Sequence, residues 1–361
     1  MKIYDLKKEI LDNFFTNLKK DIKVSSGGNI VWTKYLKISG YVIRIINYSQ
    51  EFTRVFDEQL SYVMCDESDK YDTTMVVWKN EGTKRITEEF YKKNLETNFK
   101  IFDDGCFVVM DEKNLFRPII DVSRFNNNQI VAHDVQNNTY YYSVKDLSVE
   151  EFKKQGHLLV WSLYMIFQNF PNTSLVHGAV VGVDNKGILI CARGGAGKST
   201  LTVSTLQEKD FQYVSDDYLI LSKENGEVRS YPIYSVVTLS DRVYKELNQL
   251  KTKFISDNWN RTKYILNISE YHDRFVNGLP IKACLFPNIT DTETPSIEPI
   301  SKGKAVVQMI DSTMTQLGNR FDVLQTQKLL SFVRNFDFYK INLSQNLKIN
   351  VDILKRFIRT L

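Results

Sequence analysis

Apolar positions recur at helical spacing near the start of the chain. Ile10, Leu11, Phe14, Phe15 and Leu18 fall on one face, which predicts an amphipathic helix over residues 1–24. The pattern then changes. Residues 30–34, 40–46, 62–65, 74–78 and 106–110 are short runs rich in β-branched and aromatic side chains, as strands are. Runs 130–135 and 139–144 flank Gln136-Asn137-Asn138, a turn-forming tripeptide that predicts a hairpin. Residues 1–147 therefore read as a mostly antiparallel β domain, α+β with its leading helix, and carry no evident reaction chemistry. By elimination this is a recognition or assembly domain.

Over residues 148–170, Val149, Phe152, Leu158, Val160, Leu163, Ile166 and Phe167 form an apolar face. They predict a linking helix (148–171) that Pro171 ends. His157 lies beside that face and reads as a packed or surface histidine. Residues 172–361 follow a different grammar. Runs 175–183 and 187–192 are strand-like, 198–208 is helical, and 211–215 and 218–222 are strand-like again. Strand, loop, helix and strand in that order build an α/β nucleotide-binding sheet with flanking helices. Further on, 242–253 reads as helix, 281–286 as strand, 304–334 as mainly helix, 338–343 as strand and 346–361 as a final helix.

Composition changes this picture little. In 361 residues, 43% are hydrophobic and 25% charged, a globular mix that supports real cores. The 47 basic and 43 acidic residues give a net charge of +4, too even to argue for nucleic acid or a membrane surface as partner. Cys65, Cys106, Cys191 and Cys284 have no metal-ligand spacing and read as buried free thiols of a reducing compartment. With no long apolar run and no leader pattern, the expected location is the cytoplasm.

The chemistry lies in the second part. Residues 187 to 200 read Gly-Ile-Leu-Ile-Cys-Ala-Arg-Gly-Gly-Ala-Gly-Lys-Ser-Thr. A strand ends, glycines follow, and a helix starts at Lys198. Glycine lets successive backbone N–H groups turn toward one anion, and a helix start adds its own. Gly194, Gly195, Ala196, Gly197, Lys198, Ser199 and Thr200 thus form a phosphate-binding P-loop for a nucleoside triphosphate. Lys198 would reach the β- and γ-phosphates and Ser199 would offer its hydroxyl to Mg²⁺. Ala192 stands where the motif has its first glycine.

Asp216 and Asp217 follow the strand after this helix, Asp216 being 18 residues beyond Lys198. A helix of about 11 residues spans roughly 16 Å, enough to return the chain beside the P-loop strand. Both acids should then face the γ-phosphate. One carboxylate can hold Mg²⁺, directly or through water, and the other can take a proton from an attacking hydroxyl. His177 is placed by register. If residues 184–187 form a hairpin turn and Val183 pairs with Ile188, His177 lies opposite Gly194. There it would orient a carboxylate, touch a phosphate or share the nucleophile's proton.

His177-Gly178, the P-loop and Asp216-Asp217, in this order, resemble the HPr kinase family. Ser174-Leu-Val-His-Gly-Ala-Val-Val181, Gly194-Gly-Ala-Gly-Lys-Ser-Thr-Leu201 and Tyr213-Val-Ser-Asp-Asp-Tyr218 look like its HPr kinase-like relatives, including kinases that tailor ribosomal peptides such as lasso peptides. Arg229-Ser-Tyr-Pro-Ile233 and Lys282-Ala-Cys-Leu-Phe-Pro287 are similar too. The resemblance covers about 174–290 and does not extend to the amino-terminal domain or the C-terminal signature of authentic HPr kinase. It implies phosphoryl transfer from ATP to a serine hydroxyl. Asp217 would sit nearest the nucleophile and metal, Asp216 would hold the metal's water shell, and His177 would stand beside them. Charge on the transferring phosphoryl group needs a basic partner. Arg193, Arg261, Lys263, Arg274 and Lys282 are candidates, with the loop around 261–263 as a candidate lid.

The leading expectation is a Mg²⁺–ATP-dependent serine kinase acting on a peptide or protein, such as a ribosomally made precursor. The alternatives are a kinase of a small hydroxylated metabolite and a nucleotide-gated regulatory protein with little catalysis. The acceptor, the choice of ATP over GTP and homo-oligomerisation stay open.

Overall fold

The computed structural model describes residues 3–79, 100–101, 107–111, 114–122, 129–134, 136–144, 157–247, 252–258, 261–271, 273–317, 323–334 and 336–361. The chain forms two compact units. Met1–Asp57 with Met64–Ser162 make the first, and Glu58–Val63 with Leu163–Leu361 make the second.

The first unit opens with helix α1 (Ile3–Ser26), where the apolar spacing put it. Phe14, Phe15, Leu18 and Ile22 are buried with Val76, Trp78, Ile130, Ala132 and Tyr141. Helix α2 (Gln50–Leu60), which the run-by-run reading passed over, adds Phe52 and Phe56 to the interior. The strands are β1 (Trp32–Ile38), β2 (Tyr41–Asn47), β3 (Met64–Cys65), β4 (Thr73–Lys79), β5 (Lys100–Ile101), β6 (Phe107–Asp111), β7 (Asn114–Val122), β8 (Gln129–Asp134) and β9 (Thr139–Val144). They form one sheet in the order β3-β1-β2-β4-β9-β8-β7-β6-β5. Its wings are antiparallel as expected, but β4 pairs in parallel with both β2 and β9, so the sheet is mixed. Parallel neighbours need a crossover, and α2 supplies one between β2 and β4. The β8–β9 hairpin forms at the expected place. Asp134 accepts from the backbone N–H and side chain of Asn137, and Asn138 takes φ 46°.

Helix α3 (Val160–Asn169) spans the division between the units. The expected helix over 148–170 is described only from residue 157, so Val149 and Phe152 lie outside the described residues, as does Cys106. The second unit then runs β10 (Thr173–His177), β11 (Ala179–Val183), β12 (Lys186–Ile190), α4 (Lys198–Ser204), β13 (Gln212–Ser215), β14 (Tyr218–Glu224) and β15 (Glu227–Pro232). It continues with β16 (Val236–Ser240), α5 (Asp241–Glu246), β17 (Thr252–Asn258), β18 (Arg261–Asn267), β19 (Leu279–Ile289) and β20 (Ser296–Pro299). It closes with α6 (Lys302–Gln316), α7 (Val323–Val333), β21 (Asp337–Leu343) and α8 (Leu347–Thr360). Two sheet halves share β19. One is β10-β14-β15-β19, and the other is β13-β11-β12-β19-β21 with β20 beyond. Strands β16, β18 and β17 form a separate small sheet.

Side-chain alternation builds two cores on the two faces of the larger half. Ile188 and Ile190 join Leu201, Val203, Leu354 and Ile358 from α4 and α8. Leu189 and Cys191 join Ala305, Met309, Leu329 and Phe332 from α6 and α7. Cys191 and Cys284 are buried free thiols, whereas Cys65 is only half-buried.

Four expectations need correction. Residues 175–183 are not one strand. The chain breaks at Gly178, β10 pairs with β14, and β11 pairs with β12 and β13. The β11–β12 register is Val183 opposite Lys186, not Ile188. The turn holds only Asp184 and Asn185, both left-handed at φ 52° and 58°, the two-residue hairpin geometry that asparagine and aspartate tolerate. Residues 242–253 are mostly not helical, because α5 ends at Glu246 and β17 starts at Thr252. The candidate lid around 261–263 begins strand β18, paired with β17.

Gly182 shows how closely the hairpin packs. A Cβ there would lie 2.6 Å from the Lys186 carbonyl oxygen and 2.6 Å from Leu279 Cδ1. Gly182→Ala is therefore expected to destabilise the protein by about 1–3 kcal/mol through overpacking. A urea midpoint equal to that of the unsubstituted protein would contradict this packing.

Candidate functional site

Strands β12, β19 and β21 are parallel. Strand β11 is antiparallel to both β12 and β13, so β13 runs the same way as β12 with β11 between them. The acids were expected on a strand directly beside the P-loop strand. The intervening β11 changes the neighbour but keeps the direction, so the carboxyl ends of β12 and β13 still meet at one edge. Ligands of open α/β sheets bind at such an edge.

The loop after β12 is open to solvent at its glycines. A Cβ built on Gly194 or Gly195 meets nothing within 4 Å, and Gly195 takes φ 86°. Gly197 caps α4 at φ 95°, with Leu343 and Ile289 close behind it. Both glycines thus occupy backbone conformations that side chains resist. Ala196, Ser199 and Thr200 are half-buried around the helix start. The methyl of Ala192, where the motif has its first glycine, is buried.

Lys198 points inward with 6% of its surface exposed. Its ammonium donates to Asp216 Oδ1 at 2.8 Å and to Asp217 Oδ1 at 2.7 Å. Burial alone would lower its pKa, but the two carboxylates outweigh burial and hold it above the usual lysine range. Asp216 is 2% exposed. Burial pushes its carboxyl pKa up while Lys198 opposes the rise. Its Oδ2 is buried, and the Ser199 hydroxyl lies within reach of the carboxylate. The Asp217 side chain is 21% exposed and therefore the more accessible acid. Its backbone is left-handed at φ 67°, a conformation aspartate tolerates better than most residues.

His177 is 5% exposed. Its Nε2 lies 3.9 Å from Asp217 Oδ1. The expected register opposite Gly194 does not hold. The histidine reaches the site because β10 pairs His177 with Tyr218, directly after the acids. Gly178 N–H donates to the Asp217 carbonyl at 3.0 Å, which ties the two chain segments together. A Cβ on Gly178 would stand 3.1 Å from the Ile190 carbonyl oxygen, so this close crossing favours glycine.

Helix α6 brings three residues that the motif reading missed. Ser312 Oγ lies 2.9 Å from His177 Nδ1 and 2.9 Å from the Ala192 carbonyl oxygen. Thr313 Oγ1 accepts from His177 N–H at 3.3 Å. Asp311 accepts two hydrogen bonds from the Arg193 guanidinium. One signal was available. Ser312 and Thr313 fall on the same helix face as Ala305 and Met309, polar residues in apolar positions.

Of the basic candidates, Arg193 is paired with Asp311 at the loop, and Lys282 pairs with Glu227 at 2.9 Å. Arg274 sits beside Asp273 and over the ring of Tyr271. Its backbone pairs with Tyr213, near the opposite end of β13 from the acids. The side chains of Arg261 and Lys263 lie outside the described residues.

No family model and no curated protein matches this chain. Among solved structures, the Hpr(Ser) kinase/phosphatase from Coxiella burnetii is similar over 52% of this chain and 95% of that one, at 14% identity and a TM-score of 0.29. A likeness at that level does not establish an activity for this chain. Among the described residues no helix is long and apolar enough to cross a membrane.

Proposed function

We propose that the second unit is a Mg²⁺–ATP-dependent kinase that phosphorylates a serine hydroxyl of a peptide or protein. The observation that carries the reading is the convergence of Lys198, Asp216, Asp217 and His177 beside an open glycine loop. Lys198 and the loop amides of residues 194–200 would bind the triphosphate. The serine Oγ would attack the γ-phosphorus as the bond to the β-phosphate oxygen breaks. ADP would leave with that electron pair, and the serine proton would pass to Asp217.

The residues fit a divalent cation. Two carboxylates contact one ammonium, and the buried Asp216 carboxylate also lies within reach of the Ser199 hydroxyl. Among the described residues no group of three or more His, Cys, Asp or Glu could hold a metal alone. An ion carried in with a triphosphate needs no such group, since Mg²⁺ of this kind is held by one or two carboxylates and completes its shell from hydroxyl, phosphate and water. Ser199, Asp216 and Asp217 would hold it, and it would offset charge on the phosphates.

The test is incubation of the full chain with Mg²⁺ and γ-labelled ATP alongside candidate precursor peptides and proteins, followed by mass spectrometry. Phosphoserine on an acceptor is the expected product. Label confined to a small metabolite would defeat the peptide assignment. Tight nucleotide binding without any product would defeat the kinase assignment.

A further inference from the structure

We infer that Ser312 is a positioning residue that fixes a proton of His177 on Nδ1 and so turns Nε2 toward Asp217. The place of this proton follows from hydrogen counting. A serine hydroxyl has one hydrogen to give. Ser312 Oγ stands 2.9 Å from the Ala192 carbonyl oxygen and 3.5 Å from the His177 carbonyl oxygen. Both are acceptors only, so whichever takes the hydrogen, Oγ is left to accept. In the 2.9 Å contact with His177 Nδ1 the nitrogen must then carry the proton.

The ring is held in this pose from several sides. Thr313 Oγ1 takes the His177 backbone N–H, the Tyr218 ring lies tilted at 5.6 Å, and Gly178 N–H binds the Asp217 carbonyl. None of these contacts involves a ring nitrogen. Ser312 is the contact that reaches Nδ1, while Nε2 faces Asp217 Oδ1 at 3.9 Å. Its anchor is the Ala192 carbonyl at the start of the phosphate loop. Helix α6, about 120 residues downstream in sequence, thereby sets the histidine's orientation from the loop itself. A partner that fixes a histidine's far nitrogen sets the basicity and aim of the near one.

The consequence for turnover rests on the kinase reading; the place of the proton does not. Full-length protein with ¹⁵N-labelled histidine contains four histidines, and His177→Gln identifies the resonances of His177. Long-range ¹H–¹⁵N correlation is expected to show the Nδ1–H pattern for His177. Ser312→Ala is expected to shift it toward Nε2–H or a mixture. Thr313→Ala, which removes only a backbone contact, should leave it unchanged, and thermal melts establish that each variant is folded. In the phosphotransfer assay Ser312→Ala should lower kcat about 10–100-fold with the KM for ATP little changed. An Nε2–H pattern in the unsubstituted protein, or no change in Ser312→Ala, overturns the inference whatever the turnover. The expected tautomer change in a protein that phosphorylates nothing upholds the inference and defeats the kinase reading instead.

Discussion

Lys198→Met is expected to abolish the proposed phosphoryl transfer and to destabilise the fold together. The ammonium lies buried between Asp216 and Asp217, with both contacts under 3 Å. Removing it leaves a buried carboxylate facing a second one with no counter-charge. Breaking a buried pair from one side costs about 3–5 kcal/mol. Removing a charge donor to the transferring phosphoryl group costs at least about 10²–10³-fold in rate. The stability loss has a pH signature. Without Lys198, burial holds the folded Asp216 pKa further above its ordinary 3.8. A raised folded pKa means the folded state binds the proton more tightly than the unfolded chain. The deficit relative to the unsubstituted protein is therefore full at neutral pH and narrows as pH falls toward 3.8. Adding Asp216→Asn should restore most of the stability at neutral pH and none of the turnover. Equilibrium denaturation at several pH values reads this directly. A Lys198→Met protein as stable as the parent at pH 7 would contradict the buried triad.

Asp217→Asn is expected to remove turnover while sparing structure. Asparagine is nearly isosteric and accepts the left-handed backbone at φ 67°. The Lys198–Asp216 contact at 2.8 Å survives the change. What is lost is a carboxylate able to take the acceptor's proton, worth about 10²–10⁴-fold in kcat. The KM for ATP should rise less than kcat falls, because Lys198, the loop, Ser199 and Asp216 still hold the nucleotide and its ion. Asp217→Ala should lose turnover equally but also lose stability, since alanine resists that backbone. Steady-state kinetics with thermal melts separates the two effects, and Asp217→Asn with parental kcat would remove Asp217 as the base.

Much of the site was legible because its parts are local. Gly194 to Thr200 form a contiguous loop between a strand and a helix, and their residue types declare the backbone they need. Asp216 and Asp217 could be brought near it because one short helix spans the gap. The rest depended on pairings that no local pattern encodes. The two-residue slip in the β11–β12 register preserved every inward-facing side chain, because the pleat repeats every two residues. The core alternation gave no warning of it. Strand β11 lies between β12 and β13 although it precedes both in sequence. Ser312 meets His177 across 135 residues, and only its polarity on a buried helix face hinted at a role. In the first unit, the parallel centre of the sheet was hidden because β4 and β9 look the same to a pattern reader whichever way their neighbours run.

The chain leaves one sheet half for the other at His177-Gly178 and again at Asp216-Asp217, and a single amide-to-carbonyl bond from Gly178 to Asp217 laces the two crossings. For protein engineering, the two crossings are therefore not independent segments. Side-chain changes at either residue leave this backbone bond in place, whereas a change in the length of one crossing displaces both. Retargeting the chemistry calls for exchanging the two crossings together, as one cassette.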